Sequence, residues 1–128
     1  MRRNIKGFTL IELLIVVVIV GILSVAAIPV IASNTQEARS SEARAALGAL
    51  KDRARAVYSR TNTAPINMTA LGVGSTELRG SYFNNANYTL AGTVTTWNAT
   101  CTGVYSGTSP TSLILTSNLR SGNATFNR

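Results

Sequence analysis

The chain has no histidine and a single cysteine, Cys101, so no intrachain disulfide can form and a thiol nucleophile would have no imidazole base beside it. Carboxylates are scarce too, with five Asp and Glu among 128 residues. So few ligating and titrating groups leave little from which to build an active site, and no catalytic residue, metal ligand or cofactor is expected. A glycine-rich phosphate loop is also missing. Cys101 is expected to be a small, half-buried structural thiol.

What the chain has in excess is positive charge, 12 Lys and Arg for a net of +7. Three of these, Arg2, Arg3 and Lys6, sit before Gly7, and without them nine bases face five acids, or +4. Most of the remainder, Arg39, Arg44, Lys51, Arg53, Arg55 and Arg60, falls on one stretch. Arginines along a helix could line phosphates, so nucleic acid is one partner to weigh. Against it stand a solvated face or subunit-to-subunit ion pairs. No DNA-binding motif accompanies these charges.

The N-terminus is the most specific part. After the basic leader, Phe8 to Ile28 is an apolar run of 21 residues broken by one acid, Glu12. At about 1.5 Å per residue that run crosses a hydrocarbon core of roughly 30 Å, which a discarded signal sequence seldom does. The leader charges place the N-terminus in the cytoplasm and the rest of the chain outside. β-Branched residues crowd Ile15 to Val20, yet lipid forces the backbone to bond itself, so helix is expected. Gly21, Ser24, Ala26 and Ala27 would let neighbouring helices approach closely, and Pro29 should kink the helix. A carboxylate in such a run is costly unless it is compensated, which points to a role for Glu12. The alternative is an acid at the membrane edge of an ordinary anchor.

Lys6-Gly7-Phe8-Thr9-Leu10-Ile11-Glu12-Leu13-Leu14 resembles the class III leader and first helix of type IV pilins and type II secretion pseudopilins, with Pro29 where that family often has a proline. The resemblance covers roughly the first 30 residues. It implies cleavage between Gly7 and Phe8 by a prepilin peptidase, methylation of the new N-terminus at Phe8, and neutralisation of a neighbouring subunit's Phe8 amine by Glu12. The physics agrees, since an unpaired carboxylate in a low-dielectric fibre core is costly and a cationic amine is a fitting partner. The implied fold is α+β and pilin-like, a long kinked N-terminal helix packed on a small antiparallel sheet. The implied organisation is a cleaved leader at 1–7, a transmembrane and filament-core half-helix at 8–29, and an exported globular domain at 30–128.

Within that domain, Ala43, Ala46, Leu47, Leu50, Ala54, Val57 and Tyr58 recur at spacings of three and four, the stripe of an amphipathic helix reaching about Arg60. Asn34 and Thr35 could cap a separate helix, but a continuous one from about Phe8 is favoured. Asp52 and Arg55 are spaced to pair, and Gly48 is expected to serve close packing. From 61 to about 80 a loop is expected, with a short helix around Met68 to Leu71. Strands are expected at Tyr82-Phe83 extending toward Tyr88–Leu90, at Thr93–Trp97, at Ala99–Tyr105 and at Ser112–Thr116. Their inner face should use Tyr88, Leu90, Val94, Trp97, Val104, Leu113 and Leu115 against Leu47 and Leu50. Lacking a disulfide, the C-terminal segment must be held by strand pairing or by neighbouring subunits.

Three functions fit this sequence. The first is a type IV pilus subunit, forming a helical homo-oligomer, stored in the bacterial inner membrane, handled by the peptidase and the pilus assembly machinery, and ending as an extracellular filament. The second is a minor pilin or a pseudopilin of a periplasmic pseudopilus. The third, from another class, is a membrane-anchored binding domain or enzyme.

Overall fold

A computed structural model describes residues 7–107 and 110–128, so the leader charges Arg2, Arg3 and Lys6 lie outside the described residues. The chain forms two units, Met1–Thr35 and Gln36–Arg128. One helix, α1 (Leu10–Thr61), supplies the described α-helical residues of both.

In the first unit, every described residue through Asn34 is exposed. The most apolar stretch of the helix lies here, and none of it is buried in the chain itself. An exposed apolar surface of this extent calls for lipid or partner helices. Its hydroxyls are satisfied within the helix, Ser24 donating to the Val20 carbonyl at 2.7 Å and Ser33 to Val30 at 3.0 Å. Thr35 donates to Ile31 at 2.9 Å and caps no new helix, so α1 runs on continuously through Pro29.

The second unit is built around the stripe the spacing predicts. Ala43, Leu47, Leu50 and Ala54 are buried, with Ala46, Val57 and Tyr58 packed beside them. They share a core with a four-stranded antiparallel sheet in the order β1 (Tyr88–Gly92), β2 (Trp97–Cys101), β3 (Leu113–Ser117), β4 (Ala124–Phe126). In β2 and β3 alternate residues are buried, so Trp97, Ala99, Cys101, Leu113 and Leu115 line the inner face, as a period of two requires. Trp97 lies opposite Gly92 on one side and Ser117 on the other, two small neighbours that leave room for its indole. That ring donates its N–H to the Pro65 carbonyl at 2.7 Å, tying the long loop to the sheet. Leu90 and Val94 pack on this core while only partly buried.

Several local expectations give way to specific contacts. The N–H groups of Ser81, Tyr82 and Phe83 all donate to the Glu42 carboxylate, with shortest distances of 3.0 Å each, so 82–83 cannot join a strand ladder. Residues 93–96 form the β1–β2 turn: the Thr93 N–H donates to the Thr96 carbonyl at 3.1 Å, and Gly92 has φ of +108°. A Cβ on Gly92 would collide with that carbonyl, so only glycine fits the turn. The strand expected over 99–105 stops at Cys101, and Tyr105 instead donates its N–H to the Thr111 carbonyl at 3.1 Å. Residues 68–71 form turns in place of a helix, the Asn67 side chain accepting the Ala70 N–H at 2.7 Å and Gly72 following with φ of +66°. Asp52 pairs with Lys51 at 3.0 Å, not with Arg55. Apart from its chain neighbours and the backbone of its own helical turns, nothing among the described residues lies within 4 Å of where a Gly48 Cβ would sit, so this glycine serves no close packing there.

Strand pairing secures the C-terminal segment. β4 pairs Leu115 with Phe126 and Ser117 with Ala124, and Asn127 brackets Ile114 by donating its N–H to the carbonyl at 3.0 Å and accepting the N–H at 2.9 Å. The Arg44 guanidinium lies 4.7 Å from the Phe126 ring centroid and donates to the Arg128 carbonyl, locking the end of the sheet to α1.

The Glu42 contact makes the loop before β1 depend on one helical side chain. Glu42→Ala is expected to cost about 1–3 kcal/mol, since three N–H donors lose their acceptor and the Phe83 donor has buried surroundings. Amide hydrogen exchange should show it directly, with Ser81, Tyr82 and Phe83 losing protection while β2 and β3 keep theirs. Unchanged exchange at these three amides would mean that the loop is held by something else.

Candidate functional site

The start of α1 is built by Thr9. Its hydroxyl accepts the Glu12 N–H at 3.3 Å, and the Glu12 carboxylate takes both the Thr9 N–H at 2.8 Å and the Thr9 hydroxyl at 2.6 Å. This reciprocal exchange is a capping box, which satisfies donors that the first turn of a helix leaves unpaired. It explains why the helix begins at Leu10 and not at Phe8. Gly7 and Phe8 are thereby left outside the helix. Phe8 is 89 % exposed, and no described atom crowds Gly7 within 4 Å.

Of the residues singled out from sequence, Gly7, Phe8 and Glu12 therefore gather around the N-cap. Pro29 is farther along the same helix, where its missing N–H deprives the carbonyl four residues earlier of its usual donor. Thr9 is the residue that the leader resemblance does not mark, although Thr-x-x-Glu ahead of an apolar run is a readable capping signal. The negative group sits at the helix N-terminus, where it also complements the positive end of the helix dipole. This turn can hold a carboxylate oriented at the head of an apolar helix, next to an accessible peptide bond.

Glu77, Arg53, Cys101 and Tyr88 serve the fold. Glu77 joins Arg53 and accepts the Gly74 N–H at 2.9 Å, and that backbone bond and the guanidinium hold its carboxyl below the usual range. Arg53 also donates to the Gly72 carbonyl at 2.7 Å, so the pair closes the 72–77 loop onto α1. Cys101 is fully buried, and its thiol points to the Thr102 carbonyl at 4.0 Å. Burial pushes its thiol up to about 11 and raises the Tyr88 hydroxyl as well. No set of three or more Cys, Asp or Glu among the described residues could hold a metal ion.

The sign for Cys101 is that of an acid with a raised folded value. Its thiolate forms in the unfolded chain from about pH 8.5 but in the folded one only near 11, so stability falls as pH rises between the two. Alkylation by iodoacetamide at pH 8 is expected to be at least about 100-fold slower in the folded protein than in denaturant, since thiolate fraction and access both limit it. Equal rates would place Cys101 at the surface.

A family model described as the prokaryotic N-terminal methylation motif matches residues 2–28. Fimbrial protein EcpC of Eikenella corrodens is 37 % identical over 112 residues, which cover 86 % of this chain and 72 % of that protein. A fimbrial protein of Neisseria meningitidis serogroup A is 42 % identical over 78 residues, 60 % of this chain and 46 % of that one. Type IV major pilin protein PilE1 of Neisseria gonorrhoeae is 40 % identical over 79 residues, 60 % of this chain and 48 % of that one. The chain thus spans about half the length of these two Neisseria proteins. The leader motif and the exposed apolar helix are features of a membrane-anchored subunit of a surface filament. With a capped apolar helix, a small antiparallel sheet and likeness to a fimbrial protein over most of that protein's length, the chain belongs to the type IV pilins and is a structural pilin subunit.

Proposed function

We propose that this pilin is cut between Gly7 and Phe8 by a prepilin peptidase, methylated at Phe8, and held in the inner membrane by residues 8–29 until the assembly machinery adds it to a type IV pilus. The observation that carries the reading is the Thr9–Glu12 capping box, which leaves Gly7 and Phe8 outside the helix while holding an acid at its first turn. A peptidase binds extended backbone, and a Gly7–Phe8 bond ahead of the N-cap offers it without unwinding the helix. Cleavage then creates a cationic amine on Phe8, one residue before the N-cap Thr9 and four before Glu12.

In the fibre, Glu12 neutralises the Phe8 amine of a neighbouring subunit, and the pair fixes axial register as a buried polar pair does in a coiled coil. Pro29 lets the helix bend where it leaves the membrane. Gly7→Val is expected to abolish cleavage, so that the chain keeps its leader, stays in the membrane fraction and yields no filaments. Mass measurement of the membrane-extracted protein checks this, and a normally shortened chain would refute the assigned cleavage site.

A further inference from the structure

The second unit exposes two of its large hydrophobic side chains among the described residues, Ile66 and Tyr82. Tyr82 is 45 % exposed, and the Arg39 guanidinium lies 5.5 Å from its ring centroid. The ring stands on a turn closed by the Gly80 N–H, which donates to the Phe83 carbonyl at 2.9 Å. Glu42 holds that turn from α1 through the N–H groups of Ser81, Tyr82 and Phe83, and a Cβ on Gly80 would collide with its carboxylate. Arg79 leads into the turn and lines the hollow beside Glu42. These contacts present an aromatic ring and two cations on a fixed frame.

Neither cation has an acid of its own. The side chains of Arg39 and Arg79 form no hydrogen bond or ion pair among the described residues, and the Arg39 Nε is buried without a partner. A second copy of the chain matches this patch poorly, because Glu12 lies in the apolar helix, Glu42 is held by its turn, Asp52 lies beside Lys51 and Glu77 is held by Arg53. Glu37 alone would be left to face two guanidinium groups. A layer of anionic headgroups matches it well: phosphate oxygens suit the planar guanidinium fork, and a ring with a polar tip suits the boundary between hydrocarbon and water. Chain length keeps such a surface within reach. The exposed apolar run continues to Ile31, and the eight residues from there to Arg39 span at most about 28 Å in any conformation.

We infer that Tyr82, Arg39 and Arg79 dock the globular unit of the unassembled subunit on an anionic phospholipid surface, an inference that rests on residues 8–29 as the membrane anchor. The test uses the full chain reconstituted in vesicles of phosphatidylcholine alone or of phosphatidylcholine and phosphatidylglycerol in equal parts. Ser81→Cys carries a fluorophore, attached at neutral pH where buried Cys101 reacts slowly, and a phosphatidylcholine spin-labelled on its headgroup quenches it on contact. Quenching should appear with phosphatidylglycerol and fall in high salt. Two cations near an anionic surface favour the docked state by about 30-fold, so Arg39→Gln with Arg79→Gln should remove most of the quenching. Arg39→Lys with Arg79→Lys should keep it, and Arg55→Gln with Arg60→Gln, which removes the same charge elsewhere, should change nothing. Equal quenching in the two vesicle types, equal losses from the two glutamine pairs, or quenching by other labelled copies in place of lipid, the mark of a second chain on the patch, would overturn the proposal. Vesicle flotation is scored in parallel: a chain that does not float refutes the anchor and the docking with it, while flotation without lipid-dependent quenching refutes the docking alone.

Discussion

Glu12→Ala is expected to leave membrane insertion intact and to cut filament yield by more than about tenfold, because an amine left unpaired in a low-dielectric core costs about 3–5 kcal/mol. The same substitution also removes half of the capping box from α1, worth about 1 kcal/mol. Glu12→Gln separates the two effects. Its amide oxygen still accepts from Thr9, as the carboxylate does at 2.6 and 2.8 Å, but it carries no charge to neutralise an amine. If neutralisation is the role, the glutamine variant assembles as poorly as the alanine one. Assembly restored by glutamine would reduce Glu12 to a helix cap. Quantifying subunit in sheared filaments against subunit in membranes reads both variants.

The second large effect is on stability. Trp97→Ala should destabilise the globular unit by about 3–5 kcal/mol, lowering the melting temperature by roughly 15 °C or more. Trp97 is fully buried, and its N–H holds the Pro65 carbonyl, so the substitution opens a cavity and frees the loop together. Trp97→Phe retains most of the apolar volume but orphans that carbonyl, and about 1–3 kcal/mol should be lost. Circular dichroism of the full chain in detergent measures both. A shift of a few degrees for the alanine variant would be incompatible with Trp97 as the centre of the sheet's inner face.

The parts of this molecule that are legible in the sequence are those set by short-range pattern. The apolar run with Glu12 is contiguous, and the stripe at Ala43, Leu47, Leu50 and Ala54 repeats at helical spacing, so both can be read without knowing any partner. Trp97, Leu113 and Leu115 face inward as expected because a strand alternates. What escapes such reading depends on long-range contact. Nothing local marks Ser81–Phe83 as ligands of a carboxylate about forty residues earlier, and Thr93–Thr96 has strand-like composition until Gly92 turns the chain. β4 is three residues long, too short for any periodicity to show. The Thr9 cap is different: its signal is present and local, and the larger motif around it points to Gly7, Phe8 and Glu12 instead.

The central claim is that this pilin matures at Gly7–Phe8 and is then polymerised. Mass spectrometry of filaments sheared from cells tests it most directly. The expected result is an abundant chain beginning at Phe8, one methyl group heavier than its sequence. An intact leader on filament subunits, or the absence of this chain from filaments while it remains in the membrane, would contradict it.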